Sequence, residues 1–441
     1  MAATILHQDT CGKTDGADAT RIQPSWWNKS LKLGGFGAKG AIPFGDASKT
    51  AGLDFIEAVA AGQQIVSAGA AAAPVWRPQS VINVMNPPFN AAGNGTTDDT
   101  AAIQAAVTAC PAAGGTVLLP QSHLVTGVTD GGKPIWFVGA TRWSAVRGVG
   151  VPLITLTALG SRVVDLGVNA SASSDGTIGV LLDNGSDGMG GWTLRGCWFG
   201  GAFASPYRGI AVKGRFALEG VIDDCQFLYW ATGIQLEAIG GDNPNANSIR
   251  GCKIRQGIVG VNLVGGIDDL YLDGNTIEGN VIGLQSGLAG GHAYSISLVN
   301  NHWENNQGGA AATNLSLTDT ALMSLHNYYG GCAAYRDIVV NTPTYYGGTI
   351  QSRGDNFGDG VTHNGNGQFV IYDAYPSSPT LISTAGTGTI RQVREGMLVD
   401  ALPVGFYGHT AAAQQVLATG VTHTVDDVIR ALQALGLLKQ S

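Results

Sequence analysis

The sequence predicts an all-β protein wound as a parallel β-helix, and three observations carry that expectation. A short apolar motif recurs at an interval of about 25 residues, the scale of one supersecondary unit in a repeat protein. The chain is rich in glycine and poor in charge, with 66 glycines among 441 residues and only 13% Asp, Glu, Lys and Arg. A short amphipathic helix stands between strand-like segments ahead of the first repeat, where a solenoid needs its end covered. Hydrophobic residues make up 44% of the chain, and the glycines follow no three-residue period, so neither a disordered chain nor a collagen fits.

The repeat is the most informative element. Six segments share an apolar first residue, Cys or Asn three positions on, and a bulky side chain two further: LRGCWF (194), IDDCQF (222), IRGCKI (249), LDGNTI (272), LVNNHW (298) and, more loosely, SLHNYY (324). Their starts lie 28, 27, 23, 26 and 26 residues apart. A second apolar stretch follows each of the first four: GIAV (209), GIQL (233), GVNL (260) and GLQS (283). Stacked in parallel, such rungs bring each position over its equivalent at roughly 4.8 Å and so generate columns. Cys197, Cys225, Cys252, Asn275, Asn301 and Asn327 form one column, expected inside a turn with buried thiols and hydrogen-bonded amides. Phe199, Phe227, Ile254, Ile277, Trp303 and Tyr329 form another, inward by alternation, which makes Trp303 core rather than a sugar platform.

Upstream, VINV (81–84) reads as a strand, GNGTTDDT as a turn, TAAIQAAVTAC as a helix with Ile103 and Val107 on one face, and GGTVLLP as a strand. Thr97 or Asp98 can accept the free amides of the first helical turn, and Asp99 stands where the helix dipole favours an anion.

GTTDDTAAIQAAVTACPAAGGTVLLP resembles the opening motif of pectate-lyase-like right-handed β-helices, widespread in bacteriophage tailspikes and polysaccharide-degrading enzymes. The resemblance spans some 45 residues with its flanks. NPPFNAAGNG replaces the usual GAKGDG-like loop, and LPQSHLVTG the usual LP-G-x-Y. The tail, VGFYGHTAAAQQVLATGVTHTVDDVIRALQALGLL (404–438), resembles the C-terminal segment of many phage tail and fibre proteins. Within it, Thr424 to Asp427 make a capping box, and Val425, Val428, Leu432 and Leu435 an apolar stripe that one short helix cannot bury alone, so a homotrimer is expected. Residues 1–80 lack the rung pattern: SWWNKS (25–30) and the Ala/Gly-rich stretch 58–73 suggest a small module followed by a helix or linker. The resemblances imply that this module attaches to other tail or baseplate proteins of a virion. The expected domains are thus 1–80, the β-helix 81–365, and a C-terminal β module with trimerisation helix 366–441.

The formal charge of −8 includes no basic run, so no nucleic-acid partner is expected. No stretch of about 18 apolar residues suggests membrane insertion, and MAATILHQDTCGKTDG lacks the pattern of a secretory signal. The cysteines show no CxxC pair, the histidines do not cluster at ligand spacing, and no P-loop or G-x-S-x-G occurs; no metal or cofactor is expected. The resemblance places the protein in the phage tail, assembled in the host cytoplasm and acting outside it.

The chemistry is expected on outward-facing columns. Trp198, Gln226, Lys253, Thr276, His302 and Tyr328 flank the bulky inward column on one side, and Gly200, Leu228, Arg255, Glu278, Glu304 and Gly330 on the other. Glu278 and Glu304 fall on neighbouring rungs, roughly 5 Å apart, the carboxylate spacing of retaining glycosidases, where one acid would stay protonated. The alternative is a turn motif in which Arg255 and backbone amides hold stacked glutamates without catalysis. On the following strand Ala211, Gln235, Asn262 and Gln285 are expected outward beside Lys213 and Glu237, a row of amides suited to sugar hydroxyls, overhung by Asp242 in GGDNPNANS (240–248). Glu237 therefore competes with Glu278 and Glu304 for the acid or base role. Arg195, Asp223, Arg250 and Asp273 alternate in sign as a cross-rung salt ladder. The expected function is a tailspike that binds and depolymerises a bacterial surface polysaccharide, by hydrolysis or by elimination. The alternative is a structural or glycan-binding fibre protein without enzymatic activity.

Overall fold

The computed structural model describes residues 80–372 apart from short segments at 149–151, 171–175, 186, 204–205, 289–290, 309–311, 333–335, 342–348 and 365–367; outside that range it describes only strand backbone. The chain divides into two compact units, Met1–Ser80 with Ala109–Pro111, and Val81–Thr108 with Ala112–Ser441. In the first, three antiparallel pairings are described: Ile5–Leu6 with Lys32–Leu33, Ile42–Gly45 with Leu53–Ile56, and Gln63–Val66 with Val75–Pro78. The Ala/Gly-rich stretch thus holds a strand where a helix or linker was expected, because the β-branched pair Ile65–Val66 favours extended backbone. The segment 404–438, with its capping box and stripe, lies outside the described residues.

The second unit is a parallel β-solenoid of three sheets. Each rung contributes one strand to each sheet: Thr193–Arg195, Trp198–Gly200 and Arg208–Arg215 on one rung, Val221–Asp223, Gln226–Leu228 and Trp230–Glu237 on the next. The first sheet begins at Val81–Asn83, the second at Asn94–Asp98, the third at Val128–Thr129. Parallel stacking continues past residue 365, where the sequence pattern fades: Gln368–Tyr372 pairs with Thr349–Arg353, and Thr389–Arg394 with Gln368–Tyr372. Those strands carry no Cys/Asn motif to advertise them.

From the strand ending at Val164 to the one starting at Asn356, the corner between first and second sheets is two residues long, and its first residue is left-handed. Asp165, Gly196, Asp224, Gly251, Gly274, Asn300, His326 and Gly354 occupy it, with φ between 48° and 64°. Only glycine and a few short polar or imidazole side chains tolerate this region readily, which explains why the motif's third position reads Gly, Asp, Asn or His. The next residue turns inward and builds the predicted column. Cys197, Cys225, Cys252, Asn275, Asn301 and Asn327 are all buried. The Asn301 carboxamide oxygen accepts the Asn275 backbone amide at 3.0 Å and its side-chain amide at 2.8 Å, and Asn327 receives the same pair from Asn301. The thiols donate to carbonyls instead, Cys197 to Val163 at 3.4 Å and Cys225 to Leu194 at 3.5 Å.

Two residues further on, Phe199, Phe227, Ile254, Ile277, Trp303 and Tyr329 are in register and buried. The rings stack, Phe199 on Phe227 at 4.7 Å and Tyr329 on Phe357 at 5.3 Å. A second amide ladder, not anticipated from the sequence, lines the corner after the second sheet. Asn280 receives the amide of Gly257 and passes its own to Asn306, which donates to Asn314, which donates to Asp337.

The helix α1 (Thr100–Ala109) buries Ile103, Ala106 and Val107. Asp98 accepts the Thr100 amide at 2.9 Å, and the Thr100 hydroxyl and amide hold its carboxyl below the usual carboxylate range. Asp99 has a different role from the dipole partner expected of it. Its side chain turns inward, 3% exposed, accepts the amides of Ala92 and Gly93 and pairs with the buried His123 at 2.8 Å. Both aspartates are structural.

Candidate functional site

The second sheet's outer face carries the first group of expected residues. Trp198, Gln226, Lys253, Thr276, His302 and Tyr328 stack in register, as do Leu228, Arg255, Glu278 and Glu304 beside them. The strands here are three residues long, so the middle side chain is inward and the outer two face solvent. Glu278 and Glu304 are thus cross-rung neighbours, but each has its own cationic or proton-exchanging partner. Arg255 Nε lies 2.9 Å from Glu278 Oε1, and His302 Nε2 lies 3.0 Å from Glu304 Oε2. The two acids, expected to perturb each other across one rung, are instead each engaged along or below their own strand. A groove of about 260 Å³ opens at the strand ends, lined by Leu228, Arg255, Gln256, Glu278, Gly279 and Asn305.

Aromatic rings frame this charged stretch. His302 stacks on Tyr328 at 4.7 Å, and Trp198 meets Trp143, 69% exposed, at 5.7 Å. Each ring lies across a glycine two residues on: a Cβ on Gly200 would fall 2.2 Å from the Trp198 ring, and one on Gly330 2.7 Å from the Tyr328 hydroxyl. Partial burial, with the charges of Glu304, Asp337 and Asp359, raises the Tyr328 phenol above its ordinary pKa. Lys253 is exposed and, among the described residues, has no ion-pair or hydrogen-bond partner.

The third sheet's outer face carries the second group. Gln235, Asn262 and Gln285 stack in register as expected, and the residue below Gln235 is Lys213. Ala211 does not belong to this column: it is buried, and Lys213 rather than Ala211 pairs with Gln235, two residues from the GIAV/GIQL alignment. Asn262 donates to Gln235 at 3.2 Å, Gln235 donates to Glu237 at 3.0 Å, and Lys213 pairs with Glu237 at 2.7 Å. Burial raises the Glu237 pKa, and the hydrogen bond and charge of Lys213, then Gln235 and Arg215, outweigh it, leaving the carboxyl below its usual range. Arg215 in turn pairs with Asp183 at 2.5 Å. Glu237 is therefore a held carboxylate, suited to a base or nucleophile and unsuited to donating a proton. Asp242 is exposed in the tight turn closed by the Ile239–Asp242 bridge.

On the first sheet's outer face Arg195, Asp223, Arg250 and Asp273 are in register. The ion pair forms between Arg195 and Asp223 at 3.5 Å, while the Arg250 guanidinium lies over the Tyr271 ring at 5.8 Å. Three titratable residues that the sequence reading passed over, Asp319, His292 and Asp268, gather at the corner leading into this sheet. Asp319 hydrogen-bonds His292, and Asp268 accepts from Asn243 at 3.0 Å. The repeat consensus contains none of them, so spacing gave no signal. Among the described residues no group of three or more His, Cys, Asp or Glu could hold a metal ion, and no helix is long and apolar enough to cross a membrane.

No family model matches the sequence. No curated protein matches it either. Among solved structures, the chain is similar to the Dettilon tailspike protein gp208, with 16% identity over 71% of this chain and 68% of that one, TM-score 0.43. It is similar to ORF18 of Geobacillus virus E2, with 16% identity over 72% and 61% of the two chains, TM-score 0.43. A third is the full-length tailspike protein 2 of an Escherichia coli O157:H7 bacteriophage, with 12% identity over 76% and 44%, TM-score 0.45. The aligned region thus spans between 44% and 68% of these three chains.

Proposed function

We propose that this β-solenoid is a phage tailspike protein that binds a bacterial surface polysaccharide and cleaves it on the outer face of its second sheet. The observation that carries this reading is the placement of Glu278 and Glu304 on successive rungs, each with its own partner, beside a groove that Arg255 and Glu278 line and between the half-buried rings of Trp198 and Tyr328. In hydrolysis, Glu278 beside the permanently charged Arg255 is the nucleophile, Glu304, in contact with His302, is the acid that protonates the leaving oxygen, and water then releases the sugar from Glu278. Arg255 and Lys253 also favour a second reading, elimination from a uronic acid, in which cations neutralise the sugar carboxylate, an ionised glutamate removes the proton on the carbon beside it, the glycosidic C–O bond at the next carbon breaks to leave a C=C bond, and the departing oxygen takes up a proton. Glu237, already ionised, is the competing base on the third sheet. The protein acts as a homotrimer in the virion tail, joined to other tail or baseplate proteins through its N-terminal residues.

The test is incubation with capsule, O-polysaccharide and exopolysaccharide preparations, followed by mass spectrometry of released oligosaccharides. Hydrolysis adds one water per cleavage, whereas elimination leaves an unsaturated, ultraviolet-absorbing end. Glu278→Gln and Glu304→Gln should each abolish release and Glu237→Gln should not. Full activity in both of the first two variants overturns the placement.

A further inference from the structure

Resting on that reading, we infer that the groove beside Glu278 is a specificity pocket for one neutral sugar bearing an acetamido group, with Gln256 and Arg255 engaging its amide and Leu228 its methyl. The groove lies at the corner where the chain leaves the second sheet, and a column of left-handed residues builds it. Tyr229, Gln256, Gly279, Asn305 and Gly331 stand there on successive rungs with φ between 52° and 69°. Glycine takes this conformation at no steric cost, whereas glutamine does not, so Gln256 is held against its backbone preference, as residues at ligand sites often are.

The backbone amides of the column are already engaged in stacking. Tyr229 donates to the Arg255 carbonyl, Gln256 to Glu278, Gly279 to Glu304 and Asn305 to Gly330. The polar groups left for a ligand are therefore side chains. Gln256 and Asn305 are exposed, and among the described residues neither carboxamide has a hydrogen-bond partner. Gly279 opens the space between them. A Cβ there would meet nothing nearer than Gln256 Cγ at 3.5 Å, whereas one on Gly331 would fall 2.6 Å from Asn305 Oδ1. Leu228 lies three rungs below Asn305, so at roughly 4.8 Å per rung the groove is about 14 Å long. That length and a volume of about 260 Å³ suit one substituted pyranose.

The walls decide the substituent. An acetamido group carries one N–H donor, one carbonyl acceptor and one methyl. The Gln256 carboxamide accepts the first, the Arg255 guanidinium donates to the second through nitrogens other than the Nε that faces Glu278, and Leu228 covers the third. A hydroxyl in the same place makes fewer of these contacts and leaves Leu228 against water. Charge points the same way. Arg255 and Glu278 balance each other at 2.9 Å, so a sugar carboxylate would meet one cation beside one anion and gain little. A neutral occupant lacks the carboxylate that elimination needs, so hydrolysis is the reaction this pocket serves.

The test is affinity titration of the full chain by saturation-transfer NMR with N-acetylglucosamine and N-acetylgalactosamine, against glucose, galactose and glucuronate. Single sugars make the comparison independent of linkage. At least one acetamido sugar should bind at least about tenfold tighter than its parent hydroxyl sugar and than glucuronate, with the strongest transfer at the acetyl methyl. Gly279→Asn fills the open space while keeping a left-handed corner that asparagine tolerates, and Gln256→Asn withdraws the carboxamide on a backbone that suits it better. Each should weaken the acetamido sugar about tenfold. No binding of either acetamido sugar, equal binding of the hydroxyl sugars, tighter binding of glucuronate, or a preference unchanged in both variants overturns the pocket. An acetamido preference in a protein that cleaves none of the glycan preparations would leave the pocket standing and sink the depolymerase reading. Cleavage of a glycan without acetamido sugars, lost in Glu278→Gln and untouched in Gly279→Asn, would do the reverse.

Discussion

Asn327 gives both its backbone amide and its side-chain amide to one carboxylate oxygen of Asp355, at 2.7 and 3.2 Å. The first ladder therefore ends on a charge, just as the second ends on Asp337. Amides relay hydrogen bonds from rung to rung because each has a donor and an acceptor, whereas a carboxylate only accepts and so terminates the relay.

Breaking the relay in its middle should be costly. Asn301→Ala removes the acceptor of two Asn275 donors and the donors to the Leu272 carbonyl and the Asn327 oxygen, all buried. With several buried groups orphaned, the expected loss is about 2–4 kcal/mol, read as a lowered urea midpoint.

Asp337 should make stability depend on pH. Burial pushes its carboxyl up to about 6, against the hydrogen bonds from the Gly360 and Asp359 amides. In the unfolded chain it titrates near the ordinary value of about 3.9, so between these values the folded state holds a proton that the unfolded state has lost. Its contribution is fully present below about pH 4 and is lost as pH rises through about 6, a change of about 3 kcal/mol. The difference in urea midpoint between Asp337→Asn and wild type should therefore favour the variant progressively from pH 4 to 7.5. A difference that does not change with pH would mean the carboxyl is ordinary.

Gly220 is a packing requirement. A Cβ there would fall 1.8 Å from Trp192 Cε2, and Trp192 is only 1% exposed, with no room to retreat. Gly220→Ala should lower stability by about 3 kcal/mol or prevent soluble expression, whereas Gly132→Ala, facing open space at φ +73°, should cost only the backbone strain of about 1 kcal/mol.

The stacked thiols should be silent in the native protein. Burial, then hydrogen bonding with Cys197 and Cys252, drives the Cys225 thiol well above its usual pKa, and burial pushes Cys332 up to about 12. Thiolate is the reactive form, so Cys197, Cys225, Cys252 and Cys332 should resist alkylation in the native protein at pH 8 and react fully once it is denatured. Rapid native labelling at Cys197, Cys225 or Cys252, located by peptide mapping, would contradict the burial.

The legible part of this structure is whatever repeats strictly. The column from Cys197 to Asn327 and the core column from Phe199 to Tyr329 were readable because two-residue corners and three-residue strands leave no freedom of register. Longer strands are less constrained: Arg208–Arg215 is eight residues, and pairing slid by two, which put Lys213 where Ala211 was expected and left Ala211 buried. The terminator Asp355 was invisible because it breaks the Cys/Asn consensus that revealed the first ladder. The second ladder offered only Asn280 and Asn306 at rung spacing, too few for a pattern. At the candidate site the sequence placed Glu278 beside Glu304, but their separate engagement by Arg255 and His302 depends on side-chain rotamers that spacing does not encode.

The left-handed corner has a further consequence for how such a molecule diversifies. From Val164–Gly167 to Arg353–Asn356 the passage from first to second sheet keeps the same two-residue span, so it cannot host an insertion without losing the buried column behind it. The passages out of the second sheet and out of the third vary, from the single Tyr229 between Leu228 and Trp230 to the eight residues between Glu304 and Thr313 and between Val340 and Thr349. One edge of the prism is a spine of constant length and the other two are free margins. New specificity can be written into the margins rung by rung while the spine keeps every other rung in place.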